Sequence, residues 1–473
     1  MEVRHGEHAA TAALTALEEV RAKLHWRELV IGEGMDGKSL QRHTPFEDCA
    51  LSAEERQAMC ASLASSDTAM DRGMGCMVGM AVGDSVGAPL EFLDATDPTV
   101  VCGQLLFAPL PASSYSLKTN SYVEPFNRFQ LKPGQWTDDA SMGLCLADTI
   151  LCCGRLDGAD ARKRFWSWWF RGLNNAFRKD MRRAGSVGLG GNISRSLRTM
   201  RAGDEVTPRF NAEGEDAGNG SLMRLAPVPI AYRLDARAAA AAAAESSYTT
   251  HPGPMAAEAC AFLATLCVRA MAEFEPAQQA ESARAFLIRV ADEYAASELA
   301  PPAATEAARR GTAELRRLLL SSEPQGGLET CWNWRDAHLD VAGTLERRGR
   351  QYNGYPVSAG YFGSFCLDGL AIALHAVAAT ASFSAAIERC VNFLGDADST
   401  AAICGQIGGA LYGCTAIDDR FKAQLLEWDD AEIALRAALL VARPVRAAPE
   451  DESPAPAVAG GHAGGPLPVE LPV

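Results

Sequence analysis

Two short acidic stretches, each running directly into an apolar segment, constrain this chain more tightly than anything else in it. The first is Trp136-Thr137-Asp138-Asp139, followed by an apolar run to Cys153. The second is Gly395-Asp396-Ala397-Asp398-Ser399-Thr400, followed by Ala-Ala-Ile-Cys-Gly-Gln-Ile-Gly-Gly-Ala-Leu-Tyr-Gly. A single acid in front of a helix is explained as a cap on free N–H groups. Two acids at the mouth of a buried helix are not, because like charges repel and unpaired charge beside a core is costly. A divalent cation resolves both difficulties. Carboxylate and hydroxyl oxygens are hard ligands, which suits Mg²⁺ or Mn²⁺ better than zinc. Asp396, Asp398 and Thr400 do share the first three ligand spacings of an EF-hand. Ala401 stands where that loop needs glycine and Ile407 where it needs glutamate, so that reading is excluded.

Three further stretches could carry chemistry. Met80 to Phe92 places Asp84 and Glu91 in an apolar, glycine-rich setting, where a satisfied buried aspartate is as good an account as a functional one. Gly218-Asn219-Gly220-Ser221-Leu222-Met223-Arg224 reads either as a plain turn or as backbone that can approach a ligand and offer N–H groups to phosphate oxygens, and Gly188-Leu189-Gly190-Gly191 reads similarly. Thr250-His251-Pro252 holds a lone histidine, by itself more often structural than functional.

The rest of the pattern is helical. Thr11–Val30 has helical spacing, with Leu14, Leu17, Val20 and Leu24 on one side. Helices are predicted over 70–92, ending at Ala88-Pro89, over 139–153, and through the alanine run at Ala236–Ala244. Long helical patterns also cover 255–320 and 365–392, while β-branched alternation is almost absent. The expected fold is all-α. Aromatic density at 160–178 (Phe165, Trp166, Trp168, Trp169, Phe170, Phe177) is read as core packing. Residues 1–68 read as an N-terminal extension and 69–443 as the main domain, with 98–133 a long loop insertion. From Pro444 onward, Pro, Gly, Ala and acid predominate, and a disordered tail is expected.

A net charge of −15 argues against binding nucleic acid through its phosphates. The 14 cysteines form no Cys-x-x-Cys pair and most lie in apolar stretches, which fits reduced, buried thiols in the cytoplasm. The N-terminus lacks the pattern of a secretory signal or transit peptide. No window of about 20 apolar residues is free of charge, so no membrane span is expected.

In their order along residues 70 to 435, these motifs together resemble the ADP-ribosylglycohydrolase family. The matching residues are Gly83-Asp84 to Glu91, Trp136-Thr137-Asp138-Asp139, Gly218-Asn219-Gly220 with Met223-Arg224, Thr250-His251-Pro252 and Gly395-Asp396-Ala397-Asp398-Ser399. The resemblance implies an all-α fold, a compact orthogonal multi-helix bundle with a central binuclear metal site, and two divalent cations, Mg²⁺ or Mn²⁺, held by Thr137, Asp138, Asp139, Asp396, Asp398 and Ser399, with Glu91 close by. It implies hydrolysis of the glycosidic bond between ADP-ribose and an acceptor such as an arginine or serine side chain. Glu91, Asp138 or Asp139 would act as base, and the backbone at Gly188, Gly190, Gly218, Asn219, Gly220 and Ser221 would hold the pyrophosphate. His251 would line the adenosine side or the phosphates. Ser399 replaces the family's usual threonine, and Leu394 stands where the family has a glycine. The partner would be an ADP-ribosylated protein or a small conjugate such as O-acetyl-ADP-ribose, met by a monomer without nucleic acid or membrane. A non-catalytic, crystallin-like ADP-ribose binder is the competing class.

Overall fold

A computed structural model describes residues 2–32, 40–93, 127–180, 182–183, 185–212, 217–274, 282–297, 305–349, 351–352, 355–356 and 361–446. The loop expected at 98–133 and the tail expected from Pro444 lie largely outside the described residues. The described part carries α1 (Glu2–Ala22), α2 (Ala53–Ser66), α3 (Thr68–Gly87), α4 (Asp138–Cys153), α5 (Gly158–Arg171) and α6 (Gly191–Arg198). There follow α7 (Pro227–Ala231), α8 (Ala236–Tyr248), α9 (Pro254–Glu273), α10 (Ala283–Ala296), α11 (Glu306–Leu319) and α12 (Val341–Arg348). The last are α13 (Cys366–Ala378), α14 (Phe383–Val391), α15 (Ala397–Tyr412), α16 (Asp419–Asp429) and α17 (Glu432–Ala442). Among the described residues, extended pairing is confined to the antiparallel two-residue strands Gln351–Tyr352 and Tyr355–Pro356 and one bridge between Gly218 and Phe365. The fold is all-α.

Two central helices, α3 and α15, organise the site. Glycine costs a helix about 1 kcal/mol per residue relative to alanine, yet α3 carries Gly75, Gly79, Gly83 and Gly87 at four-residue spacing, on one face. Gly409, Gly405, Ala401 and Ala397 of α15 lie opposite them, in antiparallel register. A Cβ added at Gly79 would stand 2.2 Å from the Gly405 carbonyl oxygen, and one at Gly83 would stand 2.0 Å from that of Ala401. From the other side, a Cβ at Gly405 would stand 1.9 Å from the Gly79 carbonyl oxygen. The backbones are therefore in direct contact. This packing joins the C-terminal end of α3, next to Asp84 and Glu91, to the N-terminal end of α15, next to Asp396 and Asp398.

The aromatic segment behaves as core: Phe165 and Trp168 are fully buried, although Phe170 remains exposed. The N-terminal helix lies further toward the N-terminus than its spacing predicts, running from Glu2 to Ala22, and its buried face is Ala13, Leu17 and Val20, while Leu14 is 46% exposed. Helix α9 is long and apolar enough to cross a membrane, but 89% of its apolar window is buried within the fold. Every cysteine among the described residues is a free thiol.

Since any side chain on the α3–α15 contact must push backbone aside, Gly79→Ala is expected to destabilise the protein by about 2–3 kcal/mol in chemical denaturation. Gly185→Ala, where nothing lies within 4 Å of the new Cβ, should stay within about 0.5 kcal/mol of wild type. Equal stabilities for the two variants would refute the close-contact account.

Candidate metal centre and cleft

Helix α4 begins at the second of the two packed ends. Thr137 is its N-cap residue but makes no side-chain capping bond. Asp84 of α3 supplies the cap from across the core. Its carboxylate accepts the backbone N–H of Thr137 (2.9 Å), the N–H of Ala140 (2.9 Å) and the Thr137 hydroxyl (2.9 Å). The local capping role open to Thr137 or Asp138 in the sequence is thus taken by a residue 53 positions upstream. The Thr137 hydroxyl also lies 3.0 Å from Asp139 and 3.4 Å from Asp398.

Around this junction the structure brings together Asp84, Glu91, Asp138, Asp139, Asp396 and Asp398, all buried. Two groups of three carboxylates emerge, Asp84–Asp139–Asp398 and Glu91–Asp396–Asp398. Within each, one oxygen per residue lies within 4.8 Å of the others, and Asp398 belongs to both. Among the described residues no ion pair involves any of the six. The Asp139 Oδ1 and Glu91 Oε2 atoms are buried with no hydrogen-bond partner. Burial first, and then the charge of Asp398, pushes the Asp84 carboxyl up to about 7. Burial together with neighbouring carboxylates likewise raises Glu91, Asp138, Asp139 and Asp398 well above the usual range.

Oxygens around a small divalent cation lie about 3–4 Å apart at metal–oxygen distances of about 2.1 Å. Clustered acids, orphaned oxygens and the absence of a neutralising cation among the described side chains therefore fit the binding of hard divalent cations, which the two groups of three would hold. Both oxygens of Asp84 are already engaged by α4, so Asp84 orients the cluster, whereas Asp139, Asp398, Asp396 and Glu91 keep free lone pairs.

The cluster forms the floor of a cleft of about 370 Å³ lined by Glu91, Asp138, Asp396, Asp398 and Ser399. Asp138 stands outside both groups of three and faces the cleft beside Gly188, where φ is +91° and a Cβ would strike the Asp138 carboxylate at 2.1 Å. One wall is the N-terminus of α6. Gly190, its cap residue, offers no side-chain cap, and Gly190, Gly191, Asn192 and Ile193 all line the cleft. The opposite wall is Ala217 to Gly220, pinned to residues 364–366 by Asn219 N–H to the Ser364 oxygen and Cys366 N–H to the Ala217 oxygen.

Individual side chains take distinct places. Asn219 donates to Asp396 at 2.8 Å and to the Gly363 carbonyl, which fixes that carboxylate. Ser221 is fully buried, hydrogen-bonded by Ser247 and Cys260, and lies outside the cleft lining. The Ser399 hydroxyl sits 3.5 Å from the Met223 sulfur. His251 lines the cleft against Gly218 and Gly220, with its pKa lowered to about 3 by burial, Arg224 and Arg195. Its Nδ1 lies 2.8 Å from the Thr250 hydroxyl, which already accepts from the Arg224 guanidinium. Tyr361 and Phe365 also line the cleft, and no motif in the sequence announces them. The Tyr361 hydroxyl donates to Glu91 Oε1 at 3.0 Å. Leu394 adopts φ +61°, the left-handed conformation that favours glycine, so the leucine keeps the loop path before Asp396 at the cost of strain.

Comparison with known proteins gives the class. Residues 65–449 match the ADP-ribosylglycohydrolase family. The chain is 27% identical over 358 residues to the ADP-ribosylarginine hydrolase Tri1 of Serratia proteamaculans, covering 76% of each chain. It is 25% identical to the ADP-ribosyl-[dinitrogen reductase] glycohydrolase of Rhodospirillum rubrum, over 75% of this chain and 90% of that one. A solved ADP-ribosylglycohydrolase-related protein complex superposes with a TM-score of 0.50 and 26% identity, covering 79% of this chain and 99% of that chain. The fold and the cleft are those of a hydrolase acting on glycosyl bonds. The chain belongs to the ADP-ribosylglycohydrolase family, and its activity is that of an ADP-ribosyl-acceptor glycohydrolase.

Metal binding has a direct thermodynamic signature. Chelator-treated protein is expected to gain about 2.7 kcal/mol of stability when Mg²⁺ or Mn²⁺ is added at a hundredfold excess over its Kd. Asp398→Asn should lose that gain, yet be at least as stable as wild type in chelator because one repelling charge is gone. An undiminished metal-induced shift in Tm for Asp398→Asn would count against the site.

Proposed function

We propose that this protein hydrolyses the N-glycosidic bond between ADP-ribose and an arginine side chain of a modified protein. The observation that carries the reading is the buried six-acid cluster at the floor of a cleft whose wall is a helix N-terminus. The arginine acceptor draws support from the similarity to ADP-ribosylarginine hydrolases of two organisms, at 27% and 28% identity.

Asp139, Asp396 and Asp398 would hold two divalent cations, Mg²⁺ or Mn²⁺, with Thr137, Asp138, Ser399 and Glu91 beside them. Such ions supply Lewis acidity, orient ribose hydroxyls and acidify bound water. The N–H groups of Gly191, Asn192 and Ile193 at the start of α6 would receive the pyrophosphate, aided by the helix dipole. Gly218 and Gly220 leave room for His251, which faces the substrate as a neutral group at physiological pH. Asn219 keeps Asp396 from rotating. Glu91, with one oxygen held by Tyr361 and the other free, takes a proton from water. The water oxygen bonds to the anomeric carbon, and the C–N bond breaks with its electron pair going to the guanidine nitrogen, which takes the proton that Glu91 removed from water.

Asp138→Ala and Asp396→Ala are each expected to reduce release of ADP-ribose from an ADP-ribosylarginine peptide by at least about 100-fold. Two folded, fully active variants would overturn the assignment. The same assay run on serine-linked and O-acetyl conjugates gives the acceptor preference directly.

A further inference from the structure

Phe92 follows Glu91 and departs from the ordinary rules for a large apolar residue. It is 39% exposed and adopts φ +70°, where a bulky side chain is a genuine outlier. Such conformations persist only where the surroundings over-determine them, and they gather at functional sites. Here a two-bond clamp does so: Phe92 N–H donates to the Gly395 oxygen and Gly395 N–H to the Leu93 oxygen, both at 3.0 Å. The strained residue is thereby tied to the loop that carries Asp396.

The clamp sets the ring against Tyr361, a residue of the cleft wall. Tyr361, which lines the cleft and holds Glu91, stacks on it with centroids 5.4 Å apart and planes 14° from parallel. Phe129 meets its edge at 5.7 Å. The guanidinium of Arg128 lies 4.7 Å from the ring centroid. Since Tyr361 covers one face, Arg128 lies over the other. Among the described residues Arg128 has no carboxylate or hydrogen-bond partner, so the ring is what the structure shows it resting on.

We propose that the outer face of Phe92 is the platform for the acceptor's guanidinium, and that Arg128 occupies this platform as an internal stand-in until the substrate displaces it. The inference rests on the arginine-acceptor reading above and goes further by naming the residues that would read the acceptor. A guanidinium is planar and weakly hydrated and stacks well on an aromatic face. An arginine acceptor keeps its positive charge both before and after cleavage, so the contact serves substrate and product alike. Serine-linked and acetyl-linked conjugates present no cation and gain nothing from the ring.

The experiment uses full-length protein with Mg²⁺, and compares kcat/KM for ADP-ribosylarginine with that for ADP-ribosylserine. Phe92→Leu, which keeps apolar bulk and removes the ring, should lower the arginine-to-serine ratio about fivefold, the lower range of a cation–π contact. Arg128→Ala, an exposed change that leaves the core alone, should lower KM for the arginine conjugate and raise the same ratio. Thermal unfolding of both variants reports that they are folded. If wild type turns over ADP-ribosylarginine and neither variant moves the ratio, the platform is wrong while the acceptor reading stands. Failure of the wild-type protein to cleave ADP-ribosylarginine at all would overturn both.

Discussion

The contact of α3 with α15, backbone against backbone, decides where every catalytic candidate can stand. A helix faced with ordinary side chains keeps its neighbour 8–10 Å away. Glycine and alanine at four-residue spacing remove that layer, and main-chain atoms meet instead. The acids at the two adjoining helix ends are thereby drawn within reach of one another. Asp84 then carries the constraint to a third element: by accepting the N–H groups of Thr137 and Ala140, it fixes the start of α4 and so aims Asp138 and Asp139.

Charge is handled in two opposite ways in this molecule. Away from the cleft, buried charges are neutralised in the ordinary manner. Arg348 pairs with Asp368, Arg436 with Asp148, and Arg56 and Arg178 both meet Glu432. Those pairs satisfy the fold. The six acids of the cleft have no such partners among the described residues, and two of their oxygens accept no hydrogen bond. Like charges held together in a low dielectric oppose folding, so their placement serves chemistry at the expense of stability. His251 shows the reverse tuning: burial and two nearby guanidinium groups keep it neutral, a donor that adds no charge to an acidic cleft.

Much of the site is legible in the sequence because its acids come as local pairs. Asp138-Asp139 and Asp396-Ala397-Asp398 each violate local expectation within a few residues, and such violations can be seen without coordinates. The helical fold is legible for the same reason, since periodicity is a local property. Asp84 is different. A lone aspartate in an apolar segment has no local mark that separates a satisfied core residue from an organiser of a distant helix. Tyr361 and Phe365 carry no mark at all. Asn219 and Ser221 belong to one glycine-rich motif, yet one fixes a carboxylate and the other turns into the core, a division set by the direction of each side chain and invisible in the motif. The path before Asp396 survives without the expected glycine because Leu394 is itself buried and tolerates the left-handed conformation.

From the sequence alone follow the all-helical class, the acidic pairs, their preference for a hard divalent cation and the family. The first three rest on interactions between near neighbours in the chain, namely helical period, small-residue spacing and like-charge repulsion; the family rests on five motifs in order along residues 70 to 435. Tertiary structure alone decided which acids stand together, which residue caps α4, what holds Glu91 and which rings stack beside it. Those outcomes depend on groups tens to hundreds of residues apart, whose meeting is set by how closely two helices can approach.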